Sequence, residues 1–255
     1  MNKQKKISVV INTYNAERHL AEVLESVKDF DEVVVCDMES TDATREIAEK
    51  YGCRVVIFPK GDITIAEPAR NFAIQQATSE WVLVVDADEV ITPELRNYLY
   101  RRITQTECPA GLYISRLNKF LGKYYMDWSH DYQLRFFMRQ KTFWPPYVHS
   151  MPEIDGTVER TPLKYKMLHL ADETMWDWIQ KINRYTDNEI YRKHKKKYGV
   201  ASLLWRPIWR FGRTYILQGG FLMGRRGLIN AYLSAFYQVT LLSKIAEKDL
   251  RNKGQ

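Results

Sequence analysis

The chain has 255 residues, of which 45% are hydrophobic and 27% are charged. These fractions are typical of a globular protein and exclude a disordered, collagen-like or low-complexity chain. The formal net charge of +7 indicates an anionic partner, which can be a nucleic acid, a phosphorylated ligand or a membrane surface.

The positive charge is concentrated near the C-terminus. Residues 192–246 contain no Asp or Glu and hold 11 cations: Arg192, Lys193, Lys195, Lys196, Lys197, Arg206, Arg210, Arg213, Arg225, Arg226 and Lys244. The rest of the chain has 27 cations against all 31 acidic residues, a net charge of −4. The sequence therefore predicts a mildly acidic body followed by a basic C-terminal end.

Cysteine usage and the hydrophobic segments predict a cytoplasmic protein. The three cysteines are widely spaced and form no CxxC pair, which favours a reduced chain. The apolar run at residues 7–11 is too short for a secretory signal. Polar residues recur every four positions within residues 227–243, which predicts an amphipathic helix and not a membrane span.

Short apolar runs alternate with helical patterns over the first hundred residues. Strands are predicted at residues 7–11, 32–36, 54–58 and 81–85, and helices at 16–28, from a Thr41 cap to about residue 50, and at 66–77. Because continuous apolar strands alternate with helices, we expect a parallel sheet that is covered on both faces. Ligands of such sheets bind at the carboxyl ends of the strands.

The later elements are less regular. An aromatic, Pro-containing segment at residues 111–162 predicts short mixed strands and loops, and helices are predicted at 175–197, from Pro207 and from Leu228. We expect one domain at residues 1–174, divided into halves at 1–110 and 111–174. Residues 175–255 are expected to form a helical, basic, amphipathic extension.

Acidic residues follow two of the predicted strands. Asp86 and Asp88 come directly after an apolar run, where they can bind Mg²⁺ or Mn²⁺ together with substrate phosphates, or simply form a polar turn. Asp37 can accept hydrogen bonds from a base or ribose, or serve as a turn residue. Tyr14 can stack on a nucleobase, and Arg70 can pair with a phosphate or remain a solvated helix charge.

Taken together, these segments resemble family 2 glycosyltransferases of the GT-A fold, and the pattern over the whole chain resembles bacterial lipopolysaccharide-core β-glucosyltransferases. The segments that carry the resemblance are residues 7–15, residues 37–44, Ala69-Arg70-Asn71, residues 84–89, residues 131–137, Val148-His149, residues 181–186 and Gly219-Gly220-Phe221.

The resemblance implies a mixed sheet flanked by helices, with a C-terminal helical extension. It also implies the donor site: Asp86-Ala87-Asp88 is similar to the DxD motif, in which Asp88 with Asp86 holds Mg²⁺ or Mn²⁺ against a UDP-sugar. Thr13, Tyr14 and Asn15 match the loop that packs on the base. The resemblance further assigns Asp37 to uracil or ribose, and Arg70 to the base and diphosphate.

The resemblance also implies the reaction, in which a hexose (glucose in the named subgroup) moves with inversion from the UDP-sugar to a lipid-linked or lipopolysaccharide-core acceptor of the cell envelope. Asp131 matches the second acid of the family's Glu-Asp pair and is the expected base, although His130 replaces the Glu. Glu153 is the second candidate for the base. His149 is a further possible metal or diphosphate contact.

The basic end mixes cations with aromatic side chains. On a helix that the sequence predicts to begin at Pro207, Arg210 and Arg213 lie one turn apart, with Trp209 available to another side. Such helices lie on anionic membranes, so we expect residues 192–244 to hold the enzyme on the inner face of the cytoplasmic membrane as a peripheral protein. The alternative is that these aromatic residues pack on the body of the protein.

Two other functions compete with glycosyl transfer. A nucleotidyltransferase that makes sugar nucleotides would share the core, but it usually has a Gly-rich phosphate loop after the first strand, which is absent here. A nucleic-acid-binding module would explain the net charge, but it would leave Asp37, Asp86 and Asp88 repelling phosphates. The sequence therefore favours the enzyme, without nucleic acid as a partner.

Overall fold

A computed structural model describes residues 5–61, 63, 65–125, 131–147, 150–172, 174–193 and 198–253. The chain divides into two compact units. The first unit contains the described residues of 1–119 and 130–171, and the second contains those of 120–129 and 172–255.

The first unit begins with strands and helices in alternation. They are β1 (Ile7–Thr13), α1 (Glu17–Val27), β2 (Glu32–Asp37), α2 (Thr44–Lys50), β3 (Arg54–Ile57), α3 (Glu67–Gln76) and β4 (Trp81–Asp86). There follow β5 (Glu89–Ile91), α4 (Pro93–Thr104), β6 (Gly111–Phe120), β7 (Lys123–Tyr125), β8 (Tyr132–Met138), β9 (Thr142–Phe143), β10 (Glu153–Ile154), β11 (Val158–Arg160) and β12 (Lys166–His169), of which β7 lies in the second unit.

The main sheet is mixed, as the resemblance implies. Its strand order is β3-β2-β1-β4-β8-β6-β12-β5. The pairs β3–β2, β2–β1 and β1–β4 are parallel, whereas β8 runs antiparallel to both β4 and β6. The purely parallel sheet that the first hundred residues predict is thus only one half of the sheet, because β8 closes the edge of β4 from the opposite direction.

Apolar side chains cover both faces of the parallel half. Leu20, Val23, Leu24 and Val27 of α1 share one helix face and are buried against the sheet. On the opposite face, Ala69, Ala73 and Ile74 of α3 pack with alternate residues of β1, β2 and β4. Because successive side chains of a strand point to opposite faces, strands buried on both faces need the continuous apolar runs seen in the sequence.

One predicted helix cap is wrong. Helix α2 begins at Thr44, and its cap position is Ala43, not Thr41. The Thr41 backbone N–H instead donates to Asn15 Oδ1 at 2.9 Å. Asp42 Oδ1 accepts from the Thr44 backbone N–H at 3.0 Å, so an aspartate supplies the local acceptor that we expected from a threonine.

The second unit is helical. It contains α5 (Met175–Lys193), α6 (Val200–Gly212), a π-helical turn at Arg213–Leu217, a 3-10 turn at Gly220–Met223 and α7 (Arg225–Lys253), with α7 packed against α5 and α6. The predicted start of a helix at Pro207 is wrong, because α6 begins at Val200 and buries Pro207 inside it. The predicted helical residues 194–197 lie outside the described residues. Within the described part of the chain, no helix combines the length and apolar character needed to span a bilayer.

The stacked rings of Trp81 and Phe136 join β4 to β8 at the centre of the sheet, with centroids 5.0 Å apart, and both are fully buried. We expect Phe136→Ala to lower the free energy of unfolding by about 3–5 kcal/mol, because truncation leaves a cavity in the core. Phe143→Ala is the control, because Phe143 is 50% exposed, and it should change stability by about 0.5 kcal/mol or less. Urea denaturation measures both variants, and equal losses would contradict the prediction.

Candidate active site

Asp37 lies at the carboxyl end of β2 and is fully buried. Its carboxylate accepts hydrogen bonds from Thr13 Oγ at 3.0 Å and from the Ser40 backbone N–H at 2.9 Å. Arg45 Nε lies 3.8 Å from it. These contacts join the end of β1 to the loop after β2 and hold Thr13 and Asp37 next to each other.

Tyr14 and Asn15, the other two residues of the loop expected to pack on the nucleobase, follow Thr13 directly. Tyr14 is 48% exposed, so part of its side chain is accessible, and Lys60 Nζ lies over its ring, 4.9 Å from the centroid. Asn15 has a positive φ of 48° and donates its backbone N–H to Ser40 Oγ at 2.9 Å. Since its side-chain oxygen accepts from Thr41, Asn15 ties the two loops together.

Two arginines hold Asp86 at the end of β4. Arg70 of α3 donates to Asp86 Oδ1 at 2.7 Å, and Arg135 of β8 donates to Asp86 Oδ2. Burial disfavours the charged carboxylate, but the positive charges of Arg135 and Arg70 outweigh burial and hold the pKa of Asp86 well below its usual range. Asp86 is therefore ionised at neutral pH.

Glu89 and Arg116 extend this chain of alternating charges. Glu89 is fully buried, and its carboxylate accepts from Arg135 at 3.2 Å and from Arg116 at 3.1 Å. The other guanidinium edge of Arg116 donates to Asp131 Oδ2 at 2.8 Å. The order Asp86–Arg135–Glu89–Arg116–Asp131 therefore joins strands β4, β5, β6 and β8 to the segment before β8.

Asp131 is ionised and strongly hydrogen-bonded. It accepts from Asn118 Nδ2 at 3.0 Å and from Gln133 Nε2 at 2.6 Å, in addition to Arg116. Burial disfavours its charge, but Arg116 and the two amide donors lower the pKa below its usual value. A lowered pKa keeps the carboxylate available to accept a proton at neutral pH and also weakens it as a base.

Asn118 links Asp131 to a histidine. Since its amide nitrogen donates to Asp131, its amide oxygen faces His169 Nδ1 at 3.1 Å, where it can accept a hydrogen bond from the ring N–H. His169 Nε2 lies 3.1 Å from Asp88 Oδ2. Because a carboxylate oxygen only accepts, this contact needs either a proton on Nε2 or a cation between the two atoms.

The sheet topology brings these residues together. His169 is the last residue of β12, where it pairs in register with Asn118 of β6 on one side and with Glu89 of β5 on the other. The Leu170 backbone N–H donates to the Asp88 carbonyl oxygen at 2.8 Å, which holds the Asp86–Glu89 turn beside the end of β12.

An unpaired amide also lies at this edge of the sheet. Both side-chain polar atoms of Asn12 are buried without a hydrogen-bond partner among the described residues. Asn12 pairs in register with Asp86 at the carboxyl end of β1. Because buried polar groups are normally hydrogen-bonded, this amide marks a position where a bound polar ligand or water would complete the site.

The structure does not join every predicted residue to this cluster. Glu153 begins β10, which pairs with β9 in a separate two-stranded sheet. Among the described residues, none of the hydrogen bonds or ion pairs connects Glu153 to Asp86, Asp88 or Asp131. His130 and His149 lie outside the described residues.

Sequence reasoning left five residues of this cluster without a role, namely Glu89, Arg116, Asn118, Arg135 and His169. Arg135 carried a usable signal, because a single cation stands in the otherwise apolar run Leu134-Arg135-Phe136-Phe137. Arg116 and His169 carried no comparable signal, because only strand pairing brings them next to the acidic loop.

The donor atoms present fit a divalent cation bound in part by substrate. The described residues contain no group of three or more His, Cys, Asp or Glu side chains arranged around a metal position. Asp88 Oδ2 and His169 Nε2, which are 3.1 Å apart, are the two side-chain atoms that would hold such a cation. Because arginines occupy both oxygens of Asp86, Asp88 is the better-placed ligand.

Comparison with solved structures identifies the fold. The chain is similar to a mannosyltransferase from Pyrobaculum calidifontis in complex with GDP-Man and Mn²⁺, with a TM-score of 0.58 and 15% identity over 96% of this chain and 88% of that chain. It is also similar to residues 1–349 of TarS from S. aureus in complex with UDP, with a TM-score of 0.52 and 17% identity over 98% and 92% of the two chains. The protein has the GT-A fold of glycosyltransferases.

Sequence comparison gives the family. Residues 8–154 match the model of glycosyl transferase family 2, and the chain belongs to this family. An uncharacterized glycosyltransferase from Rickettsia conorii is 28% identical over 99% of this chain and 95% of its own length. The lipopolysaccharide core biosynthesis glycosyltransferase LpsC of Rhizobium meliloti is 24% identical over 95% and 92% of the two chains. The protein is therefore a glycosyltransferase, and the resemblance noted from its motifs is confirmed.

The buried charge of Glu89 balances Arg135 and Arg116. We expect Glu89→Gln to lower the free energy of unfolding by about 3–5 kcal/mol, because it leaves a buried guanidinium without full compensation. Glu49→Gln is the matched control, since Glu49 is exposed, and it should change stability by about 0.5 kcal/mol or less. Urea denaturation at pH 7 measures both, and a Glu89 variant as stable as the control would refute the structural role of this charge.

Proposed function

We propose that the protein transfers a hexose with inversion from a UDP-sugar to a lipid-linked or lipopolysaccharide-core acceptor, with Mg²⁺ or Mn²⁺ at the donor site. The observation that carries this proposal is the juxtaposition of Asp88 and His169 with Asp131 through the single side chain of Asn118. One set of hydrogen bonds thus connects a cation position to a carboxylate that can act as a base.

The donor binds, in this proposal, along the carboxyl ends of β1, β2 and β4. Tyr14 stacks on the base, while Asp37, held by Thr13, accepts from uracil or ribose. Asn15 keeps the two loops together, as its contacts with Ser40 and Thr41 allow. The UDP in the TarS complex supports uridine, whereas the GDP-Man in the Pyrobaculum enzyme supports only the broader class of sugar nucleotides.

Charge explains why a cation is needed. The cluster has four carboxylates, those of Asp86, Asp88, Glu89 and Asp131, against the three guanidiniums of Arg70, Arg116 and Arg135. A diphosphate would meet a net negative site; Asp88 and His169 would hold a divalent cation there, and the cation would supply positive charge to bind the diphosphate and stabilise it as a leaving group. Arg70, released from Asp86, can then contact the diphosphate.

Asp131 is proposed as the base. The acceptor hydroxyl attacks the anomeric carbon from the face opposite the diphosphate, and its proton passes to the carboxylate as the new C–O bond forms and the bond to the diphosphate breaks. Arg116, Asn118 and Gln133 hold the carboxylate in place for this transfer. Glu153 remains the second candidate for the base.

The relatives support the proposed acceptor, and the basic segment supports the proposed location. LpsC supports an acceptor of the lipopolysaccharide-core class, which is built on lipid. We propose that residues 1–174 form the catalytic domain, with the donor half at 1–110 and the acceptor half at 111–174. Residues 175–255 form the extension, whose segment 192–244 holds the enzyme on the inner face of the cytoplasmic membrane.

Binding of the donor product tests the metal site. We expect UDP to raise the melting temperature of the wild-type protein when Mn²⁺ is present, and to raise it less when Mn²⁺ is absent, because ligand bound only to the folded state stabilises it. Asp88→Asn should abolish the Mn²⁺-dependent part of this increase. Asp155→Asn, at an exposed position, should keep it. No response of the wild-type protein to UDP with Mn²⁺, together with wild-type turnover of the Asp88 variant, would refute the proposal.

Kinetics with a sugar-nucleotide donor test the base. We expect Asp131→Asn to lower kcat about 10²–10⁴-fold with little change in the KM for the donor, because the carboxylate acts on the acceptor hydroxyl. Glu153→Gln should retain wild-type kcat. The opposite result, with loss only in the Glu153 variant, would assign the base to Glu153.

A further inference from the structure

Helix α6 exposes large apolar side chains on its outer surface. Val200, Leu204 and Ile208 recur every four residues, so they form one stripe along the helix, and each is at least 63% exposed. Trp205 and Trp209 lie next to this stripe, with stacked rings whose centroids are 6.5 Å apart. A helix of a globular protein normally turns such a stripe toward the core.

The chain after α6 continues this exposure. Ile216 and Leu217 in the π-helical turn are 61% and 56% exposed, and Phe221 and Leu222 in the 3-10 turn are 48% and 68% exposed. These four side chains and the five of α6 together form the apolar face. Nine large apolar side chains within 23 residues far exceed the scattered exposure that is normal for a soluble surface.

The turn that carries Phe221 and Leu222 is built by glycines. Gly219 has a positive φ of 74°. A Cβ atom on Gly227 would lie only 1.7 Å from the Gly220 carbonyl oxygen, so the two backbones pack in direct contact. Because this close packing fixes the ends of the turn, Phe221 and Leu222 are held outward by a defined backbone conformation.

Positive charge borders the apolar face. Arg206, Arg210 and Arg213 are exposed and follow one another at spacings of four and three residues, so they lie along one side of α6 and the turn after it. Since residues 192–246 contain no Asp or Glu, no acidic side chain of that segment neutralises these arginines. The surface is therefore apolar with a cationic border.

The arginines that border the apolar face favour a lipid bilayer over a second copy of the protein as its partner. A symmetric dimer would bury the same patch on both subunits and would bring the arginines of one copy close to those of the other. An anionic bilayer instead offers hydrocarbon to the apolar side chains and phosphate to the arginines, and Trp is enriched at the boundary between the two.

We propose that the apolar face inserts into the interfacial layer of an anionic lipid bilayer, with Arg206, Arg210 and Arg213 on the lipid phosphates. The proposal rests on the membrane location proposed above and names the lipid class and the inserting residues. The enzyme would then meet its lipid-linked acceptor at the membrane surface.

Sedimentation with vesicles tests this without any sugar donor. We expect the full-length protein to bind vesicles of phosphatidylglycerol and phosphatidylcholine more tightly than vesicles of phosphatidylcholine alone. Replacing Arg206, Arg210 and Arg213 together with Gln should weaken binding to the anionic vesicles on the order of 100-fold. The control replaces Lys28, Lys50 and Lys141 with Gln, and it should change binding less than about threefold.

Serine substitutions in the apolar face distinguish insertion into the bilayer from electrostatic attraction to its surface. Phe221→Ser with Leu222→Ser should weaken binding to anionic vesicles about tenfold or more. Leu250→Ser is the matched control, because Leu250 is 70% exposed on α7 and Leu222 is 68% exposed, and it should bind as the wild type does. Brominated lipids should quench tryptophan fluorescence, and Trp205→Phe with Trp209→Phe should remove most of that quenching.

Three outcomes would overturn the proposal. They are vesicle binding indifferent to both sets of variants, a concentration-dependent dimer that the serine variants dissociate, and salt-dependent RNA binding without vesicle binding. Hydrolysis of a sugar nucleotide in solution reports separately on the catalytic proposal. If the serine variants lose vesicle binding but keep wild-type hydrolysis, the membrane proposal is supported whatever the acceptor is.

Discussion

The buried carboxylate of Glu89 is the charge on which the arrangement of the site depends. It faces two guanidiniums, those of Arg135 and Arg116, and each of these reaches a different functional acid, Asp86 or Asp131. Isolated buried charges are strongly disfavoured, whereas alternating charges with good hydrogen bonds can be accommodated. Because the five side chains come from different strands or from the segment before β8, their pairing also fixes how these strands lie next to one another.

These ion pairs distinguish two kinds of carboxylate in the site. Asp86 and Asp131 are compensated by arginines, and both have a pKa below the usual range. Asp88 instead faces His169, whose ring orientation is set by Asn118. A cation at Asp88 would therefore be linked to Asp131, the proposed base, through His169 and the amide of Asn118. In the proposed function, these two side chains would hold donor binding and acceptor activation in a fixed geometry, which is the preorganisation that catalysis requires.

The body of the protein and its C-terminal segment differ in net charge and in proposed role. In the proposed function, the acidic part would recruit its anionic donor with the help of a divalent cation. The acid-free segment, by contrast, combines exposed arginines with exposed apolar side chains. A net charge of +7 is the sum of these two regions and describes neither of them. The proposed membrane contact and the proposed chemistry therefore draw on separate sets of residues.

The sequence by itself determined the parallel half of the sheet, because residues buried on both faces must be apolar along the whole strand and the helices between them must show one apolar face. It also indicated Asp37, Asp86 and Asp88, because polar residues directly after such strands stand out. Local patterns misplaced the cap of α2 and the start of α6, because Asp42 supplies the acceptor near α2 and Pro207 lies inside a helix that already begins at Val200.

Only the tertiary structure decided which side chains complete the site. Glu89, Arg116, Asn118, Arg135 and His169 come together through the register of β5, β6, β8 and β12, including antiparallel pairs between segments far apart in the chain. No local pattern encodes such a register, because it depends on how all the strands pair at once. The same holds for the apolar face: its composition is visible in the sequence, but its exposure is a property of the folded helices.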